Sequence, residues 1–137
     1  MRQELDDATR ASIVEYRLER CREALKEVDY LVEGGYYSSA VSRLYYACYY
    51  AAVALLVANR HEAQTHAGVK TLFSCHFVKT GRIDIRHGKT LNMLYTLRQT
   101  NDYDDFSFCD KETLEEIRPL AQNFIEAVME LIGFREA

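Results

Sequence analysis

The sequence has no tryptophan, a single proline and only six glycines in 137 residues. Chain breakers this sparse exclude a loop-rich or collagen-like architecture and favour long uninterrupted helices. Cysteine is scarce as well. Cys21, Cys48, Cys75 and Cys109 lie far apart, with neither a CxxC pair nor Cys/His ligand spacing. Reduced thiols in a cytosolic setting fit that pattern better than a disulfide framework. Excess positive charge is also missing, since the net charge is −4 and the isoelectric point is near 5.6. This excludes a broad basic face for nucleic acid, while one or two arginines in a cleft would still suffice for a local phosphate site.

Residues 1–10 are charged, unlike a secretory signal, and the longest apolar run, residues 47–58, is too short for a bilayer. The expectation is a soluble, cytoplasmic protein with no membrane partner. No GxGxxG, P-loop, GxSxG or HExxH pattern occurs, and His61, His66, His76 and His87 never stand four residues apart. Neither a metal nor a cofactor is expected.

Against these absences, 48% of the residues are hydrophobic and 28% charged, which suits one domain, residues 1–137, with its own core. Ten tyrosines supply the aromatic area that tryptophan does not. Over residues 7–33 the apolar positions Val14, Leu18, Cys21, Leu25, Val28 and Val32 recur at helical spacing, with Glu15, Arg22, Lys26 and Glu33 off the stripe. Gly34-Gly35 should stop that helix. Ser38 or Ser39 would cap a second, running to about residue 59, apolar or aromatic nearly all round, with Arg43 its only charge. A helix without a polar face is buried on most sides or shared with a second chain.

Thr65 is placed to cap a third helix carrying Val69, Leu72, Phe73 and Phe77 and ending near residues 80–81. Residues 82–88 read as a connection and residues 89–101 as a fourth helix, striped by Leu91, Leu94 and Arg98. Asp110 would cap the last, to about residue 133, which Pro119 should kink or restart. No strand-like alternation persists. The fold class expected is all-α, an up-and-down antiparallel bundle of about five helices.

Four features carry possible chemistry. Arg43, in so apolar a helix, needs a carboxylate or phosphate, because an unpaired buried charge costs several kcal/mol. Its partner is either an internal acid such as Asp102 or Asp104, or a ligand. Arg98 continues an inward stripe toward Asp102, Tyr103, Asp104 and Asp105; it either caps carbonyls and pairs with an aspartate, or contacts phosphate through its planar fork. His66 stands in the first turn of the third helix, where the dipole should hold it neutral. Finally, Tyr36, Tyr37, Tyr45, Tyr46, Tyr49 and Tyr50 cannot all face one core. Contact within a homodimer is favoured over base stacking, because no basic groove is evident around them.

The segments AVSRLYYACYYAAVALL, THAGVKTLFSCHFVKTG and LNMLYTLRQTNDYDDF, in that order, resemble the HEPN-domain family of small prokaryotic proteins over residues 33–108. The resemblance implies a dimeric helical bundle, often encoded beside a minimal nucleotidyltransferase partner as a toxin–antitoxin or nucleotide-linked stress module. Many members are metal-independent ribonucleases in which an Arg, followed after four to six residues by a His, stabilises phosphate charge while the His moves protons. Arg98 matches that arginine by position, but Tyr103 stands where the histidine would be and no His follows it. Some members also carry a tyrosine, modified by the partner transferase, two residues beyond; here that residue is Asp105.

The leading expectation is therefore a homodimeric HEPN protein that binds a nucleotide or RNA phosphate, or a nucleotidyltransferase partner, through Arg43, Tyr46, His66, Arg98, Asp102 and Tyr103. Two alternatives stay open. One is a ribonuclease toxin using Arg98, Tyr103 and a histidine, His66 or His87, borrowed from another helix or subunit. The other is a purely structural interaction bundle.

Overall fold

The computed structural model describes residues 5–103 and 109–133, and among these every regular element is helical. Helix α1 spans Asp7–Glu33, α2 Tyr37–Ala58, α3 His66–Phe73, α4 Ile85–Tyr103 and α5 Lys111–Ile132. A π-helical turn, Ser74–Val78, continues α3. Three helix starts are held by short polar side chains that take up an otherwise orphaned backbone donor. Asp6 accepts the Thr9 N–H at 2.7 Å, Thr65 the Gly68 N–H at 2.9 Å and Asp110 the Thr113 N–H at 2.8 Å. Gly35, with φ of 82°, takes the left-handed backbone that reverses the chain between α1 and α2.

Helix α2 is the centre of the bundle and packs against α1, α3, α4 and α5. Its alanines 40, 47, 51, 52 and 54 are fully buried, and side chains that small let the neighbouring helices approach. Leu18, Cys21 and Val28 of α1, Val69 and Phe73 of α3, Leu91 and Leu94 of α4, and Leu114, Ile117 and Phe124 of α5 enclose it. Each large side chain of this kind contributes about 1.5–3 kcal/mol on burial, more than any single cap. The core therefore sets the helix positions. As formed, α2 is 22 residues long and apolar enough to cross a bilayer, longer than the short run read from the sequence; 61% of its most apolar window is buried inside the bundle.

The element boundaries depart from expectation in four places. Helix α2 begins before Ser38, with Tyr36 at its N-cap and no side-chain cap bond. The Ser38 hydroxyl instead accepts the Cys109 N–H at 2.8 Å, a long-range bond that displaces the local one. The third segment is not α-helical throughout. The Lys79 N–H reaches back to the Ser74 carbonyl at 2.8 Å, one residue beyond α spacing, and widens the turn. Helix α4 starts at Ile85 rather than at residue 89, because Asp84 accepts the Arg86 N–H at 2.9 Å through its side chain and the His87 N–H at 3.0 Å through its carbonyl. His87 thus sits buried in a first turn, not in a connection. Helix α5 runs on through Pro119, held on both sides by the buried Ile117, Ala121 and Phe124.

Candidate functional site

Successive residues on a helix are about 100° apart, so the four central tyrosines of α2 fall into two columns. Tyr45 and Tyr49 form one, with ring centroids 5.9 Å apart, and Tyr46 and Tyr50 the other, also at 5.9 Å. Tyr45 is fully buried; Tyr46, Tyr49 and Tyr50 are half-buried.

The first turn of α3 brings His66 onto both columns. Its ring stacks on Tyr49 at 4.2 Å between centroids and stands edge-on to Tyr46 at 6.0 Å. Its Nδ1 lies 2.6 Å from the Tyr45 hydroxyl oxygen. Burial pushes that hydroxyl above the ordinary phenol range, so Tyr45 keeps its proton, and which of the two atoms donates is set by the imidazole tautomer. Burial first, and the positive charge of Arg98 second, hold His66 below its usual 6.5. At pH 7 the ring is neutral. The lowering expected from the helix dipole is found, but burial is its main cause.

Arg98 arrives from α4. Its Nη2 donates to the Tyr46 hydroxyl at 2.9 Å, and its guanidinium carbon is 5.3 Å from the centroid of the same ring. Arg43 reaches that ring too, at 5.2 Å. A ring face carries negative quadrupole density, so one tyrosine attracts both cations.

Among the described residues the acid beside Arg43 is Glu27 of α1, 3.1 Å from Nε. Residues 27 and 43 lie at matching distances from the α1–α2 turn and meet across it. The side chains are 26% and 50% exposed. A pair this hydrated is worth at most about 1 kcal/mol, far from the deeply buried ion pair expected.

The tyrosine face is also more basic than its own helix implies. Arg20 donates to the Tyr50 hydroxyl at 3.3 Å, and Lys70 stands 4.0 Å over the Tyr95 ring, itself 6.4 Å from His66. The charge of Arg17 reaches Tyr49. These cations come from α1 and α3. The only local sign was Arg17 and Arg20 flanking Leu18 and Cys21, on the edge of α1 that meets α2.

Of the residues singled out in the sequence, Arg43, Tyr46, His66 and Arg98 converge. The side chains of Asp102 and Tyr103, and Asp104 and Asp105 entirely, lie outside the described residues. His87 is elsewhere, its ring 6.2 Å from Phe124 in the core. Glu27, Lys70, Tyr95 and Arg20 were not foreseen. Among the described residues no group of three His, Cys, Asp or Glu side chains is arranged to hold a metal ion. What the cluster does offer is two guanidinium groups, a neutral imidazole N–H and a hydroxyl around one aromatic ring, a donor set matched to phosphate oxygens.

Residues 14–132 match the family model described as the HEPN domain. The "UPF0332 protein" of Thermotoga maritima is 35% identical over 120 residues, which cover 88% of this chain and 91% of that protein. Two proteins of Methanocaldococcus jannaschii are each 33% identical. "Putative toxin MJ0142" matches over 102 residues, 74% of this chain and 69% of its own length; "Putative toxin MJ0605" matches over 114, 81% and 82%.

Proposed function

Because this chain belongs to the HEPN domain family, we propose that it is a toxin-like HEPN protein that works by binding a phosphate, of a nucleotide or of RNA, at the cluster of Arg43, Tyr46, His66 and Arg98. The observation that carries this reading is the Arg98–Tyr46 bond at 2.9 Å, with Arg43 on the same ring. A hydroxyl that accepts from Arg98 fixes its fork in place before any ligand arrives, and preorganised donors lose less entropy on binding. His66 adds a polar ring edge-on to the same tyrosine. The surrounding tyrosines provide faces on which a base can stack, worth about 1–3 kcal/mol per base. Titration of the purified protein with nucleotides and a short RNA tests the reading. Saturable binding lost in Arg98→Ala supports it; no binding to either ligand refutes it.

The ribonuclease alternative is favoured by one observation: α3 brings a histidine to the ring that holds Arg98. However, Nδ1 of His66 is taken up by the Tyr45 hydroxyl at 2.6 Å, and no histidine follows Arg98 in the sequence. Binding is therefore the primary reading. Equal or absent RNA cleavage by wild type and Arg98→Ala removes the enzyme from consideration. In the same proposal the chain acts as a homodimer through the exposed Tyr16 and Tyr30 of α1, and beside a nucleotidyltransferase partner. Sedimentation of wild type against Tyr30→Glu, and co-purification with such a transferase, test those two points.

A further inference from the structure

Beyond Lys70 along α3, an open groove of about 270 Å³ runs between α3, the π-helical turn and the first turns of α4. Its floor is apolar. Phe73 and Leu91 are buried there, Val78 is half-buried, and Ile85 remains 63% exposed although it is large and aliphatic. Gly88 keeps the floor close, since a Cβ at that position would meet Val78 Cγ2 at 3.1 Å. Three lysines, Lys70, Lys79 and Lys89, line the rim.

Those lysines are unusual in their surroundings. The protein as a whole is acidic, with a net charge of −4. Arg20, Arg43, Arg60 and Arg118 each lie against a carboxylate. Among the described residues no carboxylate lies at ion-pair distance from any of the three groove lysines. An uncompensated cationic rim over a dry floor wants an occupant with both acidic and apolar side chains. We propose that this groove docks an acidic peptide segment of a partner protein, anchored by one or two apolar side chains between Val78 and Ile85. Nucleic acid fits less well: its phosphates gain nothing from an apolar floor, and the rim holds no arginine fork. The proposal is independent of the phosphate reading above. The two sites share Lys70, whose ammonium stands over Tyr95 at 4.0 Å, so an occupant that pairs with Lys70 draws it away from the tyrosine cluster.

The test uses the full chain, labelled with nitrogen-15, titrated with a synthetic amphipathic peptide that carries Glu on one helical face and Leu and Phe on the other. Saturable shifts at the amides of Lys79, Ile85 and Lys89 are expected, with Tyr95 moving as the groove fills. Lys79 and Lys89 are exposed, so Lys79→Glu with Lys89→Glu should keep the melting temperature while weakening the peptide about tenfold. Ile85→Ser should weaken it separately. An absence of shifts in the groove overturns the proposal. So does equal binding of a polyglutamate of the same length with no effect of Ile85→Ser, which leaves only unspecific charge attraction. Groove shifts produced by a short RNA in preference to the peptide overturn it in favour of a nucleic-acid surface.

Discussion

Removing one oxygen tests how the site holds its arginine. Tyr46→Phe deletes the acceptor of the 2.9 Å bond from Arg98 and keeps the ring that both guanidinium groups approach at 5.2 and 5.3 Å. A hydrogen bond to a charged group contributes roughly 1.5–3 kcal/mol when buried. Both residues here are half-buried, so water can replace much of the bond, and a stability loss of about 1 kcal/mol or less is expected. Ligand binding should suffer more. A released arginine must be immobilised again at a cost of about 0.5–1.5 kcal/mol, which weakens phosphate binding by about three- to tenfold. Tyr46→Leu also removes the ring and with it two cation–π contacts worth about 0.5–1 kcal/mol each at exposed sites. Its affinity should therefore fall clearly below that of Tyr46→Phe. Isothermal titration with a nucleotide, beside urea denaturation of each variant, separates the two effects. If Tyr46→Phe binds as wild type does, the hydroxyl does not position Arg98 and the preorganisation argument is wrong. If both variants unfold with a loss of several kcal/mol, the tyrosine is a core residue and not a site residue.

Further outcomes follow from the same geometry. Arg98→Ala should abolish measurable nucleotide binding, while Arg98→Lys, which keeps the charge but not the fork, restores only part of it in the same titration. Folded His66 titrates below 6.5, so the folded state resists protonation and stability is lost as pH falls from about 6.5 through the lowered folded value; His61 and His87 act in the same direction. A bound phosphate instead favours the imidazolium, so affinity should rise over that window in wild type and stay flat in His66→Gln, as read by titration at several pH values. Arg43→Ala should cost about 1 kcal/mol or less in urea denaturation, because Glu27 stays half-exposed and hydrated; a loss of several kcal/mol would restore the purely structural bundle. Phe124→Ala, whose ring is fully buried 5.4 Å from that of Phe73, should cost about 3–5 kcal/mol in the same assay.

Much of the architecture was legible because helical periodicity is local. Leu18, Cys21 and Val28, and Leu114, Ile117, Phe124 and Val128, lie in the core where their spacing put them. Thr65 and Asp110 cap helices because a short side-chain oxygen reaches a donor only three residues away. Ser38 failed as a cap because its hydroxyl found Cys109, 71 residues later. The π-helical turn and the early start of α4 left no periodic signature either, since each adds or shifts less than one turn.

The sequence alone determined a set of amphipathic helices around one nearly all-apolar helix, and it marked Arg43 and Arg98 as charges on apolar stripes, with Tyr46 in a run of tyrosines and His66 in a helix's first turn. Which of them meet was decided only in three dimensions. His66 was separated from Arg98 by 32 positions, and both reach the tyrosines only because α3 and α4 pack on one side of α2. The pairing of Arg43 with Glu27 and the basic surround of the tyrosines were settled there as well. Periodicity records which face of a helix is buried; the neighbour that buries it, and the charges that neighbour brings, depend on contacts across the whole chain.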